Sequence, residues 1–229
     1  MCVACPNLST GWCASLADVM AKGHRALPAQ LNPVRHSVPA RRIVCREGDC
    51  HDWVPVICSG WAAASVTLTN GRKQILAFLL PGDIVSTTLV FEANYPSVIE
   101  AITTVEYCSY PRDEIKNHMF RNPKRVEVLA SSWIDEKRAA DQLAIDLGRR
   151  TAHERIARLI ESLRQRLAPR DTTMEFPLRQ HHIADATGLT PVHVSKVLSE
   201  FRRNGLIEIS DRSITILNPT KFNRIASLS

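Results

Sequence analysis

An α+β chain is predicted, with a β-rich first half, one long helix and a helix-turn-helix closed by a small hairpin. Three observations predict it. Between Val34 and Pro111 the apolar residues fall in short runs broken by turn chemistry. After Pro123 they recur instead at helical spacing for about seven turns. From Ile183 to Arg203 the sequence reads as a helix, a glycine turn and a second helix, followed by two short apolar runs.

The β-rich part begins with Ile43–Cys45 before Gly48-Asp49 and Val54–Cys58 before Ser59-Gly60. Ala62–Thr69 precedes Asn70-Gly71, and Ile75–Leu80 precedes Pro81-Gly82-Asp83; Val98–Val105 and Tyr107–Tyr110 complete the set. Asn70-Gly71 between two such runs predicts a hairpin with a type I′ turn, since both residues accept positive φ. The expectation is a small antiparallel roll or barrel over residues 27–122, preceded by a cysteine-bearing segment, 1–26, that is only weakly periodic.

Val126, Leu129, Ala130, Trp133, Ile134, Ala140, Leu143, Ala144 and Leu147 form an apolar stripe on a helix expected over 123–148. The stripe is longer than one β domain needs to cover itself, which suggests pairing with a second copy through Leu129, Trp133, Ala140 and Leu143. Packing of the stripe against the chain's own β domain is the alternative. Gly148 ends the helix, and Thr151-Ala152-His153-Glu154 is a capping box that opens the next. That helix carries Ile156, Leu159, Ile160, Leu163 and Leu167 on one face, within a C-terminal domain at 149–229.

In this domain Thr190 is expected to cap a helix whose first position holds Pro191, where a missing N–H costs nothing. Val194, Val197, Leu198 and Phe201 share one face of it. Val192, His193, Ser195, Lys196, Ser199, Arg202 and Arg203 then point outward. A short helix anchored from behind, with a polar and basic front, is the recognition element of a helix-turn-helix reader of double-stranded DNA. Two ordinary packed helices would show the same apolar pattern. Charge separates the readings: from Gly148 onward there are fourteen Lys and Arg against eight Asp and Glu, so the net charge of +6 lies in the last third of the chain. That is the footprint of a module that neutralises phosphates. Leu206–Ile209 and Ile214–Leu217, flanking Ser210–Ser213, make the hairpin or wing beyond it.

At 229 residues and 45% apolar content the chain holds two modest domains with real cores. No run approaches the eighteen or so apolar residues of a membrane span, and no basic start with an apolar stretch opens the chain, so a cytoplasmic location is expected. Seven cysteines, an odd number, argue against a structural disulfide set. An enzyme is not expected. His181 and His182 beside Asp185 project about 100° apart on a helix and converge poorly on one ion, so His181 is read toward DNA phosphate and His182 toward the core. No phosphate-binding glycine loop or nucleophile elbow is present.

The order of β domain, long helix and winged helix-turn-helix resembles the CRP/FNR superfamily of bacterial transcription regulators over nearly the whole chain. The resemblance is carried by Gly48-Asp49, Ser59-Gly60, Asn70-Gly71-Arg72, Leu80-Pro81-Gly82-Asp83, Gly148-Arg149-Arg150-Thr151-Ala152-His153-Glu154-Arg155 and Gly188-Leu189-Thr190. It implies a jelly roll like that of cyclic-nucleotide-binding domains, a dimerisation helix, a homodimer on a two-fold operator, and RNA polymerase as a partner. Members that bind cyclic AMP use an Arg-Ser pair on the roll to hold the cyclic phosphate. The matching stretch here is Tyr95-Pro96-Ser97, without Arg, so no cyclic nucleotide is expected.

Cys2-Val3-Ala4-Cys5-Pro6 with Cys13 gives C-x2-C-x7-C, which resembles the FNR-type oxygen sensors. Their fourth ligand, a cysteine shortly before a proline on the roll, matches Cys108 in Cys108-Ser109-Tyr110-Pro111. The resemblance implies a [4Fe–4S] cluster on four thiolates, oxygen-driven loss of the cluster, loosening of the dimer helix and release of DNA. Four cysteines can also hold zinc tetrahedrally, act as thiols that oxidise, or have no such role, Cys108 then being a plain buried strand residue. The alternative is therefore a regulator of the same family without a cluster, answering to thiol oxidation or another small effector. Cys45 and Cys58 read as structural, and Cys50, on a turn, as structural or a thiol sensor. Arg150 and Arg155 read as surface or phosphate contacts.

The resemblance also sharpens the DNA-reading helix. Relatives place a Glu early in it, followed three and four residues later by a small residue and an Arg; this chain has Val192, Ser195 and Lys196.

Overall fold

The computed structural model describes residues 33–48, 52–95, 97–121 and 123–227. They form two compact units, one made of residues up to Thr67 and Leu76–Ala139, the other of Leu68–Ile75 and the residues from Ala140 on.

The first unit holds two antiparallel sheets. One has the order β1 (Val34–Val38), β7 (Val105–Pro111), β3 (Trp53–Ser59). The other runs β2 (Ile43–Cys45), β6 (Val98–Ala101), β4 (Ala62–Thr67), β5 (Lys73–Leu79). Both sheets feed one core: Val54, Val56, Val105 and Tyr110 from the first meet Cys45, Ala62, Ile99 and Leu79 from the second. Gly60, at φ +83°, makes the tight corner between β3 and β4, where a Cβ would collide with the Thr104 carbonyl.

The hairpin at Asn70-Gly71 forms with a different turn from the expected type I′. Leu68 C=O accepts from Gly71 N–H at 2.9 Å, and Leu68 N–H donates to Arg72 C=O at 2.8 Å. Gly71 has φ +78°, whereas Asn70 is not among the positive-φ residues. This is a type I turn closed by a glycine bulge, and Asn70 uses its side chain instead, accepting from Arg72 N–H at 3.0 Å.

After Pro111 the chain enters α1 (Arg112–Phe120), a short helix that buries Ile115 and Met119. The long helix α2 spans Pro123–Arg149 and buries just Leu129. Leu129 belongs to the β core, so it packs on its own chain, which corrects its assignment to a partner-facing seam. A second tie to the roll is polar: the Glu136 carboxylate accepts from Thr87 N–H at 3.0 Å and from the Thr87 hydroxyl at 2.7 Å. Trp133 stacks on Phe91 with centroids 5.9 Å apart, yet stays 53% exposed. Ala140 is exposed and Leu143 half-buried.

In the second unit α3 (Ala152–Leu167) opens with the expected capping box: Thr151 N–H donates to the Glu154 carboxylate, and Glu154 N–H to the Thr151 hydroxyl. The hydrogen bond from the Thr151 backbone holds the Glu154 carboxyl below the usual carboxylate range. α4 (Gln180–Thr187), α5 (Pro191–Arg203) and α6 (Pro219–Ser227) complete the helices, beside a three-stranded sheet ordered β8 (Thr173–Glu175), β10 (Ser213–Ile216), β9 (Ile207–Ser210). The β9–β10 hairpin turns through Asp211 at φ +52°. Ile156, Ile160, Ile183, Val194, Phe201 and Phe222 are all 2% exposed or less and form the interior of this unit.

Candidate nucleic-acid interface and sensor cysteines

Three devices fix α5. Gly188 ends α4 in the left-handed region at φ +65°, and Leu147 Cδ2 would stand 3.0 Å from any Cβ there, so the turn favours glycine on both counts. The Thr190 hydroxyl accepts from His193 N–H at 3.2 Å, capping the helix that Pro191 begins. Behind, Val194, Val197, Leu198 and Phe201 are buried, with Phe201 edge-on to Phe222 at 5.7 Å.

The opposite face is open. Val192 is 80% exposed, and Thr190, His193, Lys196, Ser199, Arg202 and Arg203 are exposed as well, while Ser195 is half-buried. Arg202 donates to the Ser199 hydroxyl at 3.2 Å. Glu200, the one acidic residue of the helix, is turned aside onto His153 of α3 at 2.6 Å. That hydrogen bond first, with the cations Lys196 and Arg203 further off, holds the Glu200 carboxyl below its usual range. The carboxylate is thereby engaged by His153 of α3, a pairing that sequence alone does not show. A groove of about 560 Å³ runs beside α5, lined among others by Arg179, His181, Pro191, Arg202 and Ile209.

Two expectations about this unit change. His181 is exposed, but His182 is half-buried, accepts from Arg179 N–H at 3.1 Å and lies ring to ring with His181, centroids 4.0 Å apart. It acts as an N-terminal cap for α4 and not as a core residue. Arg150 and Arg155 are occupied within the fold. Arg150 pairs with Asp146 at 2.8 Å, and Arg155 donates to the carbonyls of Arg150 and Thr187, tying α3 to the end of α4.

Cys2, Cys5, Cys13 and Cys50 lie outside the described residues. Cys108 sits on the central strand β7, opposite Arg35 of β1 and Val56 of β3, and is 2% exposed. It is a thiol and not half of a disulfide. Glu106 first, and then the Cys108 sulfur, hold the Arg35 guanidinium above its ordinary pKa. Cys58 of β3 brings its Sγ within 3.3 Å of Cys108 Sγ, a neighbour that sequence reasoning missed. The alternation Val54, Val56, Cys58 was a signal for its face, but its partner depended on strand pairing. Among the described residues no group of three or more His, Cys, Asp or Glu is placed to hold a metal. Ser97, in the stretch matched to the cyclic-phosphate site, is 4% exposed, and no Arg accompanies it in sequence.

Comparison with known proteins places this geometry. Residues 35–122 match the model of the cyclic nucleotide-binding domain, and residues 154–225 that of the Crp-like helix-turn-helix domain. The transcriptional activator protein FnrL of Cereibacter sphaeroides is 31% identical over 196 residues, 82% of this chain and 77% of that one. The anaerobic regulatory protein of Haemophilus influenzae is 27% identical over 178 residues, 76% of this chain and 69% of that one. Among solved structures, FixK2 from Bradyrhizobium japonicum superimposes with a TM-score of 0.79 at 25% identity, covering 87% of this chain and all of that one. A CooA mutant from Carboxydothermus hydrogenoformans shares the fold with a TM-score of 0.73 at 18% identity, over 93% of this chain and 95% of that one.

Proposed function

The chain belongs to the CRP/FNR family of DNA-binding transcription regulators, and from that premise we propose that it works as a homodimer on a double-stranded operator, sensing oxygen or redox state through a [4Fe–4S] cluster. Cys2, Cys5, Cys13 and Cys108 are the proposed ligands, RNA polymerase the proposed partner at the promoter, and the role is regulatory and not enzymatic. No cyclic nucleotide is expected, for want of a guanidinium at Tyr95-Pro96-Ser97.

The observation that carries the sensing part is the fourth thiol: Cys108 stands on a strand shared by two neighbours, a fixed point for a cluster whose other three ligands come from one short run. The donor set fits, since four thiolates are what such a cluster takes. When bound, the cluster would supply the chemistry that answers to oxygen. What this chain's residues do is anchor it at β7 and carry its state along α2, whose first half is tied to the roll by Leu129 and Glu136. Two relatives bearing the name anaerobic regulatory protein support the same reading. The test is the absorbance and operator affinity of protein purified without air, before and after exposure to air. Brown protein that bleaches and releases operator is expected; colourless protein, holding zinc or nothing after anaerobic reconstitution, overturns the cluster and leaves the thiol-responsive alternative.

Dimerisation is proposed through the part of α2 that its own chain leaves uncovered, with Trp133, Ala140 and Leu143 facing the partner. Trp133→Asp is expected to weaken association, because it places an unpaired charge in the seam. Leu129→Ala is expected instead to lower the stability of the β unit by roughly 2–5 kcal/mol, the usual cost of truncating a buried leucine, with association changed less. Sedimentation and thermal unfolding of the two variants separate these effects. An unchanged dimer for Trp133→Asp would place the seam elsewhere.

Arg202 and Arg203, exposed in the last turn of α5, are proposed to neutralise phosphates. Replacing either by Ala is expected to weaken binding to all sequences alike and to lower the slope of log K against log salt by about 0.9. A slope that does not move would remove that arginine from the phosphate contacts.

A further inference from the structure

Cys58 reads in sequence as structural, yet its sulfur lies 3.3 Å from that of Cys108, on the same face of two paired strands. A disulfide needs the sulfurs at about 2.05 Å, so an approach of about 1.3 Å separates this pair from a bond. The strands offer a place to take up that movement. On its other side β3 is held through Pro55 and Ile57 by backbone hydrogen bonds to Gly82, Asp83 and Val85, but its register with β7 shifts between Ile57 and Ser59, at Cys58 itself. A bulge already interrupts the regular ladder at that point, so a shift of Cys58 breaks no continuous run of strand pairs. Val56 and Val54, which continue the face, are fully buried, so the pair sits at the end of an apolar row, with Arg35 of β1 opposite Cys108 as a polar neighbour.

We propose that Cys58 and Cys108 are a redox pair that closes to an intrachain disulfide when the protein meets a peroxide. One sulfur attacks a peroxide oxygen; the O–O bond breaks, and the departing hydroxide takes the thiol proton and leaves as water, with a sulfenic acid on the protein. The second sulfur attacks the first, the S–O bond breaks, and the hydroxide leaves with the second thiol's proton as another water. Two thiols are oxidised by two electrons and one peroxide is reduced to two waters. A dithiol reverses the bond by exchange. The consequence for sensing, which rests on Cys108 being a cluster ligand, is that oxidised protein cannot take up the cluster until it is reduced.

The test treats metal-free, full-length protein with hydrogen peroxide, alkylates remaining thiols in urea, and digests it without reductant for mass spectrometry. A linked peptide pair containing Cys58 and Cys108 is expected, opened by dithiothreitol and absent from Cys58→Ser. Alkylation of both cysteines after peroxide, or linkage of Cys108 to Cys2, Cys5 or Cys13 alone, overturns the pair. A second arm offers iron and sulfide to the linked protein: uptake is expected to wait for dithiothreitol, whereas wild type never exposed to peroxide takes them up without that step. Uptake by the linked protein without reduction overturns the competition. Protein that forms the linked peptide but binds no iron when reduced leaves the pair standing and removes the cluster reading.

Discussion

Replacing Cys108 by Ala is expected to drop iron and sulfide from about four of each per chain to near zero in protein reconstituted without air. The argument is one of donors: among the described residues no three metal-ligating side chains converge, so the proposed site has one ligand on the roll and depends on it. Cys5→Ala and Cys13→Ala are expected to act alike, each removing one of four thiolates. The loss should not come from unfolding. Cys108 contributes one buried sulfur, and a cavity of that size costs on the order of 1 kcal/mol at about 24 cal/mol per Å³. Cys45→Ala, which removes a comparably buried sulfur on β2 at 3% exposure, is the control and should keep its iron. Iron and acid-labile sulfide measured beside thermal unfolding decide the matter. A Cys108→Ala protein with undiminished iron would show that the metal is held by other residues.

The parts of this molecule legible in sequence are those fixed by local chemistry. The Thr151-Glu154 capping box, the Thr190-Pro191 helix start and the buried stripe Val194, Val197, Leu198, Phe201 all depend on residues within one or two turns of each other, and each stands as read. What escaped depends on partners distant along the chain. Leu129 belongs to a helical stripe, and nothing in the stripe distinguishes a residue packed on its own roll from one packed on a second copy; the β core behind it decides. Cys58 meets Cys108 across fifty residues through a register shift, which no periodicity reports. The short elements α1, β8 and α6 are not legible in sequence, since nine residues or three give too little periodicity to count. In the candidate site, the outward residues of α5 are found exposed or half-buried, but the diversion of Glu200 onto His153 needed the position of α3.

Operator choice is where this chain should depart from its relatives. At the position where they carry a Glu early in the reading helix it presents Val192, 80% exposed one residue past Pro191, so the side chain is available to a base edge and is not absorbed by the core. A valine cannot accept a hydrogen bond from cytosine N4, whereas it can lie against a thymine methyl. Lys196 replaces an Arg, and an ammonium reaches guanine as a point charge without the planar fork that makes the contact bidentate. The two changes act in the same direction, weakening readout of a G·C pair at that position. We therefore expect the half-site preferred by this protein to differ from the one its relatives bind. Val192→Glu should shift base preference at one position by about 1–3 kcal/mol toward cytosine, the worth of one good base contact. Because Thr190 caps the helix through its own hydroxyl and Pro191 starts it, the substitution leaves the element intact; an acidic side chain in the first turn also suits the helix dipole. Selection of bound sequences from a random pool, run on the wild type and on Val192→Glu, measures the shift directly. If the unmodified protein returns the relatives' half-site, or both proteins return the same one, discrimination lies with neighbours such as His193 and not with Val192.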